Sequence, residues 1–509
     1  MTTFYSLIFL TILTLTTVKN SIPSTNQAIL PKKTILSSIT QVTALSSPNA
    51  QGFLDRLTFA TPESGGNGTG TSFIPFSISG NDLTHTNDNC NSIALQPDGC
   101  ILLNGSTVAT NGNTYFSLAR YLPNGELDPT FGQTGTPRAG TTYIPFSIAG
   151  GGNDDESYSI ALQPDGKIVI GGYTYNGTAY YFALARFTPT GILDTTFNPT
   201  GAHPGTTYIP FSIAGGGNDD ESYSITLQPD GKIVIGGYTY NGAAYYFALA
   251  RFTSTGILDT TFNPTRAHPG TTYIPFSITG GGNDDASYSI ALQSNGKILL
   301  AGYSDNGGGY YFALARFTST GILDTTFNPT GAHPGTTYIP FSIADGGVQD
   351  IAFSIALQLD GNIILSGKSN NHFALARFTS TGILDTSFNQ NGAHPGTNYV
   401  HFFIAGGTAD FYNNCALQPD GKILLGGTSN KQFALARFMP NGILDTATFG
   451  NVGSSKAGTT YIPFSISGQT LGDYANGIAI QPNGNIFLAG LTSNNNANPA
   501  YFAIAKFVN

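Results

Sequence analysis

Short apolar runs recur along most of the chain, each closed by Gly, Pro, Asn or Asp, and none carries a 3.6-residue apolar stripe of helical length. Between residues 140 and 187 these runs predict four strands, at Thr142–Ile148, Tyr158–Gln163, Lys167–Gly171 and Tyr181–Phe187. Pro-Asp-Gly between the second and third reads as a tight hairpin turn in which Gly166 supplies the positive φ. Alternation in the last strand places Phe182, Leu184 and Arg186 on one face and Tyr181, Ala183, Ala185 and Phe187 on the other. The small Ala face suits close approach of a neighbouring sheet.

The same pattern returns along the chain. The turn glycine stands at Gly99, Gly166, Gly231, Gly296, Gly361, Gly421 and Gly484, at spacings of 67, 65, 65, 65, 60 and 63 residues. A glutamine always precedes it by three (Gln163 and Gln228 in the second and third units), and an aspartate by eleven (Asp155 and Asp220). A strand ending in Arg or Lys follows (Arg186, Arg251), and eight residues beyond each of the first six basic ends lies a Leu-Asp aspartate (Asp194, Asp259). Segments 140–187 and 205–252 differ at only two of 48 positions. Four strands in each of seven units predict an all-β fold, a seven-bladed β-propeller of four-stranded antiparallel blades. The strand at Thr142–Ile148 fits either the blade that follows it or the one that precedes it.

Gly191–Phe197, Asp219–Asp220, Thr226–Gly236 and Phe247–Phe252 together resemble the bacterial delta-60 repeat, and the resemblance spans roughly residues 52–509. It implies β-propeller-like domains in exported, surface or multidomain proteins without an assigned activity, and it defines no catalytic residues to carry over. The chain departs from that pattern in a longer connection after the Leu-Asp turn, such as Asn198–Thr206, and in Lys506 for the last Arg.

Composition narrows the function classes. Net charge is -9 with only 20 Lys and Arg, seven of them at the one repeat position, so the clustered positive charge that nucleic acid requires is missing. Residues 4–18 form an uncharged apolar run of signal-peptide length, short for a membrane span. The expected organisation is a signal peptide or N-terminal anchor over 1–20, a Ser/Thr/Pro/Asn-rich linker over 21–51 and the propeller over 52–509, on a secreted or cell-surface protein. Cys90 and Cys100 flank one strand, and their pairing stays open; Cys415 takes an Ile position of the other units.

Sevenfold recurrence argues against catalysis by the repeated groups, so Asp155, Gln163, Gly166, Arg186 and Asp194, with Asp220, Gln228, Gly231, Arg251 and Asp259, are expected to be structural. Each Arg is expected to pair with an Asp or cap carbonyls of an adjacent turn. No catalytic residue and no metal ligand set is assigned. The turns Asn153–Glu156 and Asn218–Glu221 offer oxygens to a Ca²⁺ ion, the one cofactor alternative to none, but lack EF-hand spacing and lose residues in later units. Tyr173, Tyr175, Tyr238 and Tyr240 make an aromatic zone that, if open to solvent, would stack on a glycan or protein partner.

The leading expectation is therefore a non-enzymatic binding or scaffold module with an unidentified protein or glycan partner, no nucleic acid, and no membrane domain beyond an N-terminal anchor. Two alternatives stand: a carbohydrate-active hydrolase or lyase using loop carboxylates, and a purely architectural domain. An isolated constellation, absent from sister blades and lying in a cleft, would favour the enzyme. The first unit is the most divergent, with Asn81, Asp82, His85 and Asp88, so any unique site is to be sought there.

Overall fold

The computed structural model describes residues 53–54, 59, 70–74, 88–109, 112–132, 138–144, 148–149, 154–209, 213–215, 219–274, 284–340, 342–344, 349–402, 410–450, 457–462, 465–466, 469–470, 472–494 and 497–508. All fall in one compact unit, 48–509. The expected leader and the linker to residue 51 lie outside them, as do Asn81, Asp82 and His85. No helix among the described residues is long and apolar enough to cross a membrane.

The chain forms seven antiparallel blades. Blade 2 runs Asp155–Leu162, Ile168–Tyr175, Tyr180–Phe187 and Thr206–Tyr208 from inner to outer strand. The open question of blade phase thus resolves: the short Thr-Thr-Tyr strand pairs with the strands that precede it. Blade 7 closes the ring, because its last strand, Ala497–Val508, pairs with both Thr71–Ile74 and Phe53–Leu54 from the other end of the chain. The N-terminal segment thereby supplies the outer strand that the last repeat lacks.

Successive blades pack large against small. Phe182 and Leu184 of blade 2 meet Ala248 and Ala250 of blade 3, and the same exchange brings Phe116 and Leu118 of blade 1 onto Ala183 and Ala185. The alternation read in the last long strand is the reason: one face fills the gap, and the other makes room for it. Burial of these side chains holds the ring together without disulfides. Cys90 and Cys100 are both buried free thiols, and burial pushes the Cys100 thiol up to about 11.

Seven inner strands surround the axis, each against the next, and Gly472–Ile480 returns to Asn89–Leu95. Polar side chains tie neighbours around the whole circle. The Nδ2 of Asn91 donates to the Ser157 carbonyl at 2.9 Å. Oγ of Ser159, Ser224 and Ser289 accept from Ile225, Ile290 and Ile355 amides at 3.1, 3.2 and 3.1 Å. Cys415 meets Ser354, Asn414 donates to the Asn476 carbonyl, and Nδ2 of Asn476 donates to the Cys90 carbonyl at 2.9 Å.

Candidate functional site

Each inner strand carries a β-bulge near its start. In blades 2, 3 and 4 the register jumps between Ser157 and Ser159, Ser222 and Ser224, and Ser287 and Ser289, leaving Tyr158, Tyr223 and Tyr288 as extra residues. A bulge re-aims the extra side chain, and these three line the axial cavity. Glycine on the second strand makes the bulge fit: a Cβ on Gly172 would sit 1.9 Å from the Glu156 carbonyl oxygen. The equivalent bulge residues are Phe353 in blade 5, Asn91 in blade 1 and Asn476 in blade 7.

The result is a cup of about 820 Å³ at the end of the axis where the inner strands begin. One side is an aromatic arc across blades 2–5. Ring centroids of Tyr158 and Tyr223 lie 4.6 Å apart, Tyr223 and Tyr288 5.0 Å, and Tyr288 and Phe353 5.4 Å. The other side is an amide arc of Asn414, Asn476 and Asn91. Because the Nδ2 groups of these three bond to the ring framework, their Oδ1 atoms remain as acceptors. Below, the serine tier narrows the axis to a space of about 200 Å³.

Two carboxylates flank the aromatic arc. Tyr158 donates to Oε2 of Glu156, and Tyr223 to Oε2 of Glu221, both at 2.6 Å. Burial pushes the Glu221 carboxyl above its ordinary range, partly offset by hydrogen bonds from Tyr223 and Tyr238. Burial, then the nearby glutamate, drive the Tyr158 and Tyr223 hydroxyls far up, so both stay protonated donors. The corresponding positions hold Asn89, Ala286, Ile351 and Tyr474 in blades 1, 4, 5 and 7. Among the described residues, carboxylates at this strand position stand only on two adjacent blades.

The aromatic residues singled out in the sequence form a second tier. Tyr173 packs 5.7 Å from Tyr158, and Tyr238 5.7 Å from Tyr223, both half-buried behind the arc. Tyr175 and Tyr240 lie farther out, each 4.8 Å from a hairpin partner, Tyr180 and Tyr245. The sequence singles out none of Tyr158, Tyr223, Asn476 and Lys368 as site residues, and offers Glu156 and Glu221 only as turn oxygens for a Ca²⁺ ion. The signal lay in columns that vary between units: the bulge position is aromatic in blades 2–5 and an amide in blades 7 and 1.

The recurrent polar groups lie elsewhere. At the opposite end of the blade Nε of Arg186 donates to Oδ2 of Asp194 at 2.9 Å, and its Nη1 crosses to the Ser254 carbonyl of blade 3 at 2.6 Å. Oε1 of Gln163 accepts from the same Nη1 at 3.3 Å, and the guanidinium covers the Phe197 ring at 4.8 Å. Arg251, with Asp259, Gln228 and Ser319, repeats this clasp. Asp155 and Asp220 are buried at the cup end and accept from Thr174 and Thr239. Burial raises both carboxyls to about 7. Asp88 accepts from Thr107 at 2.6 Å in the same way, so the first unit gives the cup Asn89 and Asn91 instead.

The acidic turns do not gather on one point: Asp155 faces Thr174 while Glu156 faces Tyr158. Among the described residues no group of three or more His, Cys, Asp or Glu is placed to hold a metal ion. Blade 5 does bring together two histidines far apart in sequence, His372 and His401, with Nδ1 atoms 2.9 Å apart.

A family model described as a β-propeller domain of unknown function (DUF5122) matches residues 96–131, 163–197, 228–262, 293–327, 358–388 and 418–447. The chain is a β-propeller repeat protein. The matched family is this one, not the delta-60 repeat that the motifs resemble, and its segments fall in six of the seven blades. No curated protein matches the chain in sequence. Among solved structures, the propeller is similar to virginiamycin B lyase from Staphylococcus aureus, at 12% identity and TM-score 0.40, over 86% of this chain and 98% of that one. It is similar to polysaccharide lyase Uly1, at 11% identity and TM-score 0.43, over 91% and 98%. Sqt1 from Chaetomium thermophilum bound to the N-terminus of the ribosomal protein L10 is also similar, at 10% identity and TM-score 0.38, over 83% and 97%. At these identities the likeness is one of fold.

The expectation of a non-enzymatic scaffold is corrected here. The position before the bulge holds Glu156 and Glu221 on blades 2 and 3 but Asn89, Ala286, Ile351 and Tyr474 on blades 1, 4, 5 and 7. The recurrence of other groups therefore does not speak against catalysis. The inference from symmetry failed because it weighed only the repeated columns. The cup is built from the columns that vary, and the carboxylates bonded to its Tyr158 and Tyr223 are absent from the sister blades described.

Proposed function

We propose that the chain is a carbohydrate-active enzyme, a hydrolase or lyase, that binds a saccharide in the axial cup and cleaves it with Glu221 and Glu156. The observation that carries this reading is an aromatic arc lining one concave site, with two of its tyrosines hydrogen-bonded to blade-specific carboxylates. Pyranose rings present C–H faces that stack on Tyr158, Tyr223 and Tyr288. Sugar hydroxyls then find acceptors in the Oδ1 atoms of the amide arc.

Glu221, whose carboxyl burial raises, keeps its proton at higher pH than an ordinary glutamate and acts as the general acid toward the leaving oxygen. Glu156 acts as the base, taking a proton from water in hydrolysis or from the sugar in elimination. Tyr158 and Tyr223 hold the two carboxylates in place. Incubating residues 52–509 with a polysaccharide panel and following chain length by size-exclusion chromatography tests the reading. Shortened chains support it, and new reducing ends or ultraviolet absorbance of unsaturated products separate hydrolysis from elimination. Undiminished length across the panel refutes it.

A further inference from the structure

The second-strand residue behind the cup wall reads Ser106, Tyr173, Tyr238, Tyr303, Lys368, Thr428 and Leu491 from blade 1 to blade 7. Only blade 5 places a charge there. On blades 2 and 3 the cross-strand partner of this position is a glutamate, which would neutralise a lysine. On blade 5 the partner is Ile351, so Lys368 lines the cavity with no carboxylate at its cross-strand position. Lys368 is half-buried, and its ammonium has no ion pair or hydrogen bond among the described residues. Burial alone lowers its affinity for a proton.

A half-buried charge without a counter-charge is disfavoured unless something else neutralises it. The buried arginines at the strand ends have such partners: Arg186 has Asp194, Arg251 has Asp259, and Arg316 has Asp324. Lys368 instead lines the cup beside the apolar Ile351 and Phe353.

Resting on the saccharide reading of the cup, we propose that the bound saccharide carries an anionic substituent, a carboxylate or a sulfate ester, which pairs with Lys368. The glutamates on blades 2 and 3 repel such a group, so the ligand is held in one direction. Its acidic end lies toward blade 5, with uncharged rings on Tyr158 and Tyr223.

The test uses residues 52–509 and isothermal titration with two matched series. One is neutral galactan oligosaccharides, oligogalacturonate and carrageenan oligosaccharides; the other is cello-oligosaccharides, oligoglucuronan and cellulose sulfate fragments. The expected result is at least a tenfold preference for a charged member over its neutral counterpart, weakening with added salt. Preference for the carboxylate or the sulfate member identifies which anion is read. Lys368→Gln is expected to erase the preference and Lys368→Arg to keep it. Equal affinity for neutral and charged members, or a preference that survives Lys368→Gln, overturns this inference and leaves the saccharide reading standing. Binding by no member of either series overturns both.

Discussion

The phenol of Tyr223 donates a 2.6 Å hydrogen bond to the carboxylate of Glu221, two residues earlier on the same inner strand. Residues two apart on a regular strand share a face, but the bulge at Tyr223 bends the strand and sends the phenol over the cavity. A backbone irregularity, repeated in every blade, thus turns a wall residue into a cup residue. The chemistry of each blade then depends on what the bulge column holds.

Removing that hydroxyl should move a titration. Burial raises the Glu221 carboxyl, and the Tyr223 bond pulls it part of the way back. Tyr223→Phe therefore raises it further, and the acid form survives to higher pH. Activity that needs protonated Glu221 is lost as pH rises through this value, so the basic limb of kcat/KM should move to higher pH. A limb that stays in place contradicts the assignment.

The arginine clasp should govern stability and not chemistry. Arg186 is buried, joins two blades and has Asp194 as its counter-charge. Arg186→Ala leaves that carboxylate only the more exposed Lys167 ammonium, 3.2 Å away, and should cost about 3 kcal/mol, the low end for a broken buried pair, read as a lowered denaturation midpoint. An unchanged melting curve refutes the role.

Stability should peak in mildly acidic solution. Burial raises Asp155, Asp220 and Asp285 to about 7 and Asp350 to about 6. Each binds a proton more tightly folded than unfolded, so its contribution is complete below about pH 4 and disappears as pH rises toward 7. The Leu-Asp carboxylates run the other way. Asp194 and Asp259 are buried, yet bonds from Thr196 and Thr261 and the arginines hold them low, and Asp324 falls to about 2. Their contribution is present above pH 4 and lost in stronger acid. The melting temperature should therefore fall on both sides of about pH 4, and Asp220→Asn should flatten the fall toward pH 8. A melting temperature that climbs from pH 5 to 8 rules this out.

Ring closure makes a topological prediction. Thr71–Ile74 completes blade 7 by pairing with Ala497–Val508. Deleting residues 52–74 exposes the edge of the last long strand, a template for pairing with another chain. Gel filtration should show oligomers and calorimetry a lowered transition. A monomer of undiminished stability would mean that the strand is dispensable.

The fold was legible because its causes repeat: hairpin glycines, alternating strands and the Ala face recur in unit after unit. Blade phase was not, since pairing of a three-residue strand depends on tertiary placement that no local pattern fixes. For the site, the sequence misled in a definite way. Glu156 and Glu221 stand next to Asp155 and Asp220, and the four looked like one kind of acidic turn. A buried Asp–Thr pair and an outward Glu–Tyr pair emerge only when the strand direction and the bulge separate adjacent side chains. Tyr173 and Tyr238, singled out in the sequence, pack one layer behind Tyr158 and Tyr223.

The central claim is that Glu221 performs acid catalysis on a saccharide held in the axial cup. Its most direct test compares polysaccharide depolymerisation by the wild-type propeller and by Glu221→Gln, with saccharide binding measured on both. Glu221→Gln keeps a hydrogen-bonding side chain but has no proton of carboxylic acidity to give. The account predicts cleavage by the wild type, and a variant that still binds but cleaves at least about a hundredfold more slowly. Equal cleavage by the two proteins would contradict it.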